Sequence, residues 1–370
     1  MKQPNTPRKQ HFVPQFYLRN FSSDEAGSII SSYNHKTGQF YIDVPIKSQA
    51  YKDYVYGEDG EIEKELSTVE AKFAKLISNP IDKILPPDNQ EDFNLLCLFV
   101  LIQHSRTVKA GADILNAVNT SFNAIRPFLQ LKQPIPEGGR ISHKIPAALS
   151  LNNALESRYL MGHLAVKSIV NLSLVEFILS DNPIIPYNIW MENQGSYIGA
   201  TALASKGLLL FVPIAPRLMY CFYDPYIYEF GEPNKGTVKT ESEADVNQLN
   251  ILQYLFSDKQ LFFNKETLPP EYLVQIAEQN QHLCIDDKYI SRVFKTGNEF
   301  SKDAYTLLSS VKEPHIGLSL PFIRITAQGL IENITNGLPE VRHPDFHKER
   351  EKRRSENHPD RPGQNANDGP

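Results

Sequence analysis

Apolar and polar positions recur along this chain with several different periods, and the first strong pattern comes early. In His11-Phe12-Val13-Pro14-Gln15-Phe16-Tyr17-Leu18-Arg19-Asn20-Phe21, aromatic and aliphatic side chains crowd around one proline. Pro14 suits a first helical position, where its missing N–H would have no partner anyway. Phe16 and Asn20 then share a helical face, and Phe16 and Leu18 are expected in the core. Residues 28–33 and 40–44 read as strands joined by a glycine-containing hairpin loop. Ile62, Leu66, Val69, Phe73 and Leu76 fall at helical spacing after Glu61, and that helix should stop before Asn79-Pro80. The longest helical signal covers 90–125, with Gly111 as its candidate break.

After a Pro- and Gly-rich loop at 132–146, residues 147–171 return to a helical pattern. The period then changes. Residues 175–179, 208–213 and 218–223 read as buried strands, 241–256 and 270–282 as helices, and 317–326 as a last strand. The pattern predicts an α+β fold, helix-dominated, with an antiparallel sheet packed on long helices. Residues 1–335 are expected to form a single domain and 336–370 a disordered charged tail, since 343–370 holds almost no large apolar residues.

Apolar residues make up 41% and charged residues 22% of the chain, which is ordinary globular chemistry. No window reaches the roughly 20 apolar residues of a membrane helix, and the start lacks a signal-peptide core, so a cytoplasmic protein without membrane partners is expected. Cys97, Cys221 and Cys284 have no metal-type spacing. A net charge of -5 exerts no overall pull on nucleic acid and leaves a local basic patch open. No motif specifies a cofactor or a metal: a Gly-rich phosphate loop, a Gly-x-Ser-x-Gly elbow, a His-Glu-x-x-His and a paired Cys-x-x-Cys are all missing from the sequence.

Four places hold polar residues that packing alone would not demand. His11 stands just before the first helix, with Gln15 and Arg19 following at four-residue spacing. Gln103 and Arg106 meet on one side of the most apolar helix, where they must reach water or find partners. Ser180-Asp181-Asn182-Pro183 closes a buried-looking strand, either as a carboxylate aimed into a cleft or as an Asx turn before proline. Asn247 and Asn250 lie one turn apart and read as exposed positions. Arg158 and His163 also fit the Arg-x-x-x-x-His spacing of HEPN-type ribonucleases, a pattern loose enough to arise by chance about once per chain. Tyr159 occupies the usually polar position after that arginine.

These motifs carry a resemblance. His11 with Pro14, Gln103 with Arg106, Ser180 to Pro183, Pro213 with Pro216, and then Asn247 follow in order the pattern of the DUF4238 family over about residues 9–258. The resemblance implies that these polar residues belong to one site, and it supplies no reaction. Two functions fit. One is a hydrolase acting on a phosphodiester or nucleotide, with His11 and Asp181 as acid/base or metal-ligating groups. Arg106 would then stabilise negative charge, and Gln103 and Asn182 would orient the substrate. The other is a non-catalytic module that binds a ligand or partner within a bacterial defence or toxin-like system, its polar set forming a buried network. Whether the chain is an enzyme is left open by the sequence. The sharpest expectation is a bidentate pair between Arg106 and Asp181.

Overall fold

The computed structural model describes residues 8–78, 84–128, 151–152, 155–195, 199–285, 289–295, 305–332 and 341–342. The expected loop at 132–146 and tail at 343–370 lie outside these residues. β1 (Lys9–His11) leads into α1 (Gln15–Arg19), and Pro14 is the extended residue just before the helix rather than its first member. β2 (Ile29–Asn34) and β3 (Gln39–Pro45) form the expected hairpin, and β4 (Tyr51–Asp53) pairs back onto β1. α2 (Glu61–Ile77) follows. The single long helix expected over 90–125 is two: α3 (Gln90–Ser105) and α4 (Val108–Ile125). The break falls at Arg106 and Thr107, not at Gly111. Thr107 starts a new helix there, its Oγ1 accepting the Ala110 N–H at 3.1 Å.

The rest of the described chain holds β5 (Ala165–Asn171), β6 (Leu179–Ser180), β7 (Ile185–Tyr187), α5 (Ile189–Asn193), β8 (Leu209–Ala215) and β9 (Leu218–Tyr223). It continues through β10 (Tyr228–Phe230), β11 (Thr237–Thr240), α6 (Glu243–Phe256), β12 (Gln260–Phe263) and α7 (Pro270–Asn280). Last come β13 (Tyr289–Lys295), β14 (Tyr305–Val311), β15 (Ile323–Ile325) and α8 (Ala327–Ile331). The helical reading of 147–171 fails over β5, where the β-branched Val166, Ile169 and Val170 pair with β9 instead. A short apolar run does not distinguish the two periods, and the available partner strand decides.

The fold is α+β. Its central sheet has the order β11-β5-β9-β8-β7, antiparallel except for the parallel pairing of β11 with β5. β8 and β9 are buried along their whole length. Their alternate residues enter two different cores. Leu210, Val212, Tyr220 and Phe222 face a core built with α1, α2 and α3. Leu209, Phe211, Met219 and Cys221 face a second core with α6 and α7. The buried apolar residues of α3, Leu96, Cys97 and the run from Phe99 to Ile102, all belong to the first core. In α1, Tyr17 and Leu18 are fully buried, whereas Phe16 is only half-buried at the edge, its ring 6.3 Å from that of Phe99. A second sheet, β3-β2-β12-β6, carries the strand end that bears Asp181. Arg342 donates to the carbonyls of Leu160 and Ser205, so contact with the domain extends past residue 335.

Candidate functional site

Arg106 ends α3 at its junction with α4, buried to 2% exposure. A guanidinium there needs acceptors in several directions. It has three: Nη1 donates to Glu70 at 2.7 Å, Nε to the Tyr56 hydroxyl at 3.0 Å, and Nη2 to the His11 carbonyl at 2.7 Å. Burial works against its charge, and Tyr56 and Glu70 outweigh that and raise its pKa. The partner of Arg106 is therefore Glu70, not Asp181, and the expected Arg106–Asp181 pair is not formed. One turn earlier, Gln103 Nε2 donates to the Phe12 carbonyl at 3.0 Å. Both residues hold the backbone of the opening motif.

The His11 imidazole faces the same group of charges. Burial, with Arg106 nearby, lowers its pKa, opposed by a hydrogen bond to the Lys47 backbone, and its Nε2 is buried without a hydrogen-bond partner. Burial raises the pKa of Glu63, seven residues before Glu70 on α2, against the pull of Arg106.

Asp181 is committed elsewhere. Its carboxylate accepts the N–H groups of Asp258 at 2.8 Å and of Lys259 and Gln260 at 3.0 Å each, which shapes the turn from α6 into β12. Burial and Asp258 raise its pKa to about 6 while the three N–H groups pull it down. Asn182 connects the two regions. Its Oδ1 accepts from Thr107 at 2.8 Å and its Nδ2 donates to the Phe256 carbonyl at 2.9 Å. Gln253 completes this side, donating to Ser180 Oγ and to the Asn182 carbonyl.

The other motifs behave alike. Tyr17 donates to the Pro213 carbonyl at 2.6 Å, and the Pro216 carbonyl accepts from Phe177 N–H at 2.9 Å. Asn250 is 1% exposed, contrary to its reading as a surface residue, and bonds to the backbone of Glu176 and Ile178. Asn247 accepts from the Tyr272 hydroxyl at 2.6 Å. His11, Gln103 and Arg106 thus gather at the opening segment, and Asn182 is bonded to Thr107, the next residue in the chain after Arg106, with Asp181 bonded elsewhere. Arg158 and His163 sit exposed on a 3₁₀ segment, not on an α-helix.

Beside Asn182 lies a cavity of about 280 Å³, lined among others by His104, Lys109, Asp113, Phe256 and Tyr289. The sequence reading missed most of these residues, as well as Tyr56, Glu63, Glu70 and Gln253. Only Thr107 carried a local signal, as a β-hydroxyl residue able to cap the following helix. No group of three or more His, Cys, Asp or Glu residues able to hold a metal ion occurs among the described residues. No helix among them is long and apolar enough to cross a membrane.

Together these features define an α+β fold whose scattered sequence motifs serve several buried hydrogen-bonded clusters, one of them beside a small cavity. The chain belongs to the family described as Protein of unknown function (DUF4238), which matches residues 9–267. No curated protein and no solved structure matches it.

Proposed function

We propose that this chain is a nucleotide-binding module whose ligand occupies the cavity of about 280 Å³ beside Asn182. The observation that carries the reading is the composition of that cavity. His104 and Asn182, from two of the motifs, share it with the rings of Phe256 and Tyr289 and with Lys109 on the first turn of α4, whose ammonium is held by the Ser257 carbonyl at 3.0 Å. An ammonium at a helix start suits a phosphate, and aromatic faces suit a base. The volume admits a mononucleotide-sized ligand and excludes a duplex. The hydrolase reading on a phosphodiester or nucleotide would draw its acid and base from His104 and Asp113, the titratable pair that lines this cavity.

The test is a thermal-shift series on the full chain with adenosine and guanosine monophosphates, their nucleosides, and inorganic phosphate. A nucleotide should raise the melting temperature more than nucleoside or phosphate alone, and Lys109→Met should remove the contribution of the phosphate. The absence of any nucleotide-dependent shift would sink the proposal. Release of nucleoside and phosphate from the bound nucleotide, followed by chromatography, would move the assignment from binding to hydrolysis.

A further inference from the structure

A groove of about 1220 Å³ opens on the second-core side of the central sheet, between β5, β10, β11 and β15. Its buried residue of interest is Lys167, in the middle of β5 and only 7% exposed. The Lys167 ammonium donates to the backbone carbonyls of Phe230 and Glu232, both at 2.6 Å. Those are neutral acceptors, and among the described residues no carboxylate lies within ion-pair distance of it. Glu232, whose charge acts on it, is paired with Lys235 at 2.6 Å. An ammonium has three hydrogens, so one is left over, and a buried cation without a counter-ion is unfavourable. Burial accordingly lowers its pKa, partly offset by Glu232.

The walls around it are aromatic. The rings of Tyr223 and Phe230 lie 5.1 Å apart, tilted by 33°, and those of Phe230 and Phe322 5.6 Å apart, tilted by 46°, with Phe230 buried behind and Phe322 half-buried at the rim. A buried cation beside such a wall recognises a flat ring that carries an acidic group.

We propose that this groove is a second ligand site, for a small aromatic acid. The carboxylate or phosphate of the ligand accepts the third hydrogen of Lys167, and its ring lies against Phe322 at the rim, with Phe230 packed behind it. The site is independent of the nucleotide cavity, since the two share no lining residue. The competing account is that Lys167 only clamps the turn at Gly231, whose φ of 56° lets the chain reverse between the two carbonyls.

Isothermal titration of the full chain with benzoate and with phenyl phosphate tests it, with benzamide as the neutral isostere. At least one of the two anions should bind saturably, the choice between them reporting which acid the groove takes, and benzamide should not. Lys167→Met should weaken that binding roughly tenfold or more, as the loss of a charged hydrogen bond does. Should Lys167→Met fail to fold, Phe322→Ala, at the partly exposed rim, should weaken the same anion. No saturable binding of either anion, equal binding of benzamide, or unchanged affinity in the variant that folds would each overturn the proposal and leave Lys167 as a turn clamp.

Discussion

Asp181 accepts three backbone N–H groups with two oxygens, and every one belongs to the turn that starts β12. The Ser-Asp-Asn-Pro string was legible as either a catalytic carboxylate or an Asx-type turn closure, and the geometry is a longer-range form of the second. Nothing in the local sequence names residues 258–260 as its donors, because they arrive from the end of α6 by tertiary packing. Asp181→Ala should destabilise the fold by at least about 1–3 kcal/mol, the cost of leaving buried donors unmade. The pH dependence has a definite sign. The folded carboxyl takes up its proton near pH 6 and the unfolded one near 3.8, so the folded state binds more protons between those values. The stability contributed by this group is therefore fully present below about pH 4 and is lost as pH rises through about 6. Urea titrations at intervals across that window should show the advantage of wild type over Asp181→Ala narrowing as pH rises. A widening gap would mean that the three N–H groups outweigh burial.

Between elements, the Arg106 network joins α3 to α2 and to the opening segment before α1. The sequence did show that Gln103 and Arg106 needed partners, because polar groups so deep in an apolar helix are costly alone. It could not show which partners. Glu63 and Glu70 read as ordinary solvent-facing positions on an amphipathic helix, and Glu70 does keep its side chain 29% exposed. The helix break was missed for a related reason: a glycine draws attention, whereas the capping hydroxyl of Thr107 is a weaker and more local sign. Arg106→Ala should destabilise the domain by about 3–5 kcal/mol, since it breaks the pair with Glu70 and takes a donor from the His11 carbonyl and from the Tyr56 hydroxyl. Arg106→Lys should recover only part of that, because a single ammonium cannot reach three acceptors spread across a planar fork. Chemical denaturation of both variants checks the order, and a lysine variant as stable as wild type would show that charge alone matters here.

At the scale of the molecule, the strong hydrophobic runs at β8 and β9 were legible as buried strands, and their burial on both faces is the reason they lack alternation. The short strands β10 to β12 were not, because their length gives too few positions to fix a period. Those two central strands lie between both cores, so loosening one core should loosen the other. The single tryptophan of the chain makes this measurable. Trp190 is 1% exposed within the second core, its indole N–H donating to the Gly329 carbonyl at 2.9 Å. Leu18, fully buried, belongs to the first core. Leu18→Ala should cost about 2–5 kcal/mol, the range for a large-to-small change in a packed interior. If the shared sheet makes the domain unfold as one unit, the Trp190 fluorescence midpoint in urea should fall with the midpoint seen by far-ultraviolet circular dichroism, and the two curves should coincide. A Trp190 transition that stays at its wild-type midpoint, while circular dichroism shows an earlier loss of helix, would mean instead that the two cores unfold separately and that the bonds at Arg106 and Asn182 form a joint between independent halves.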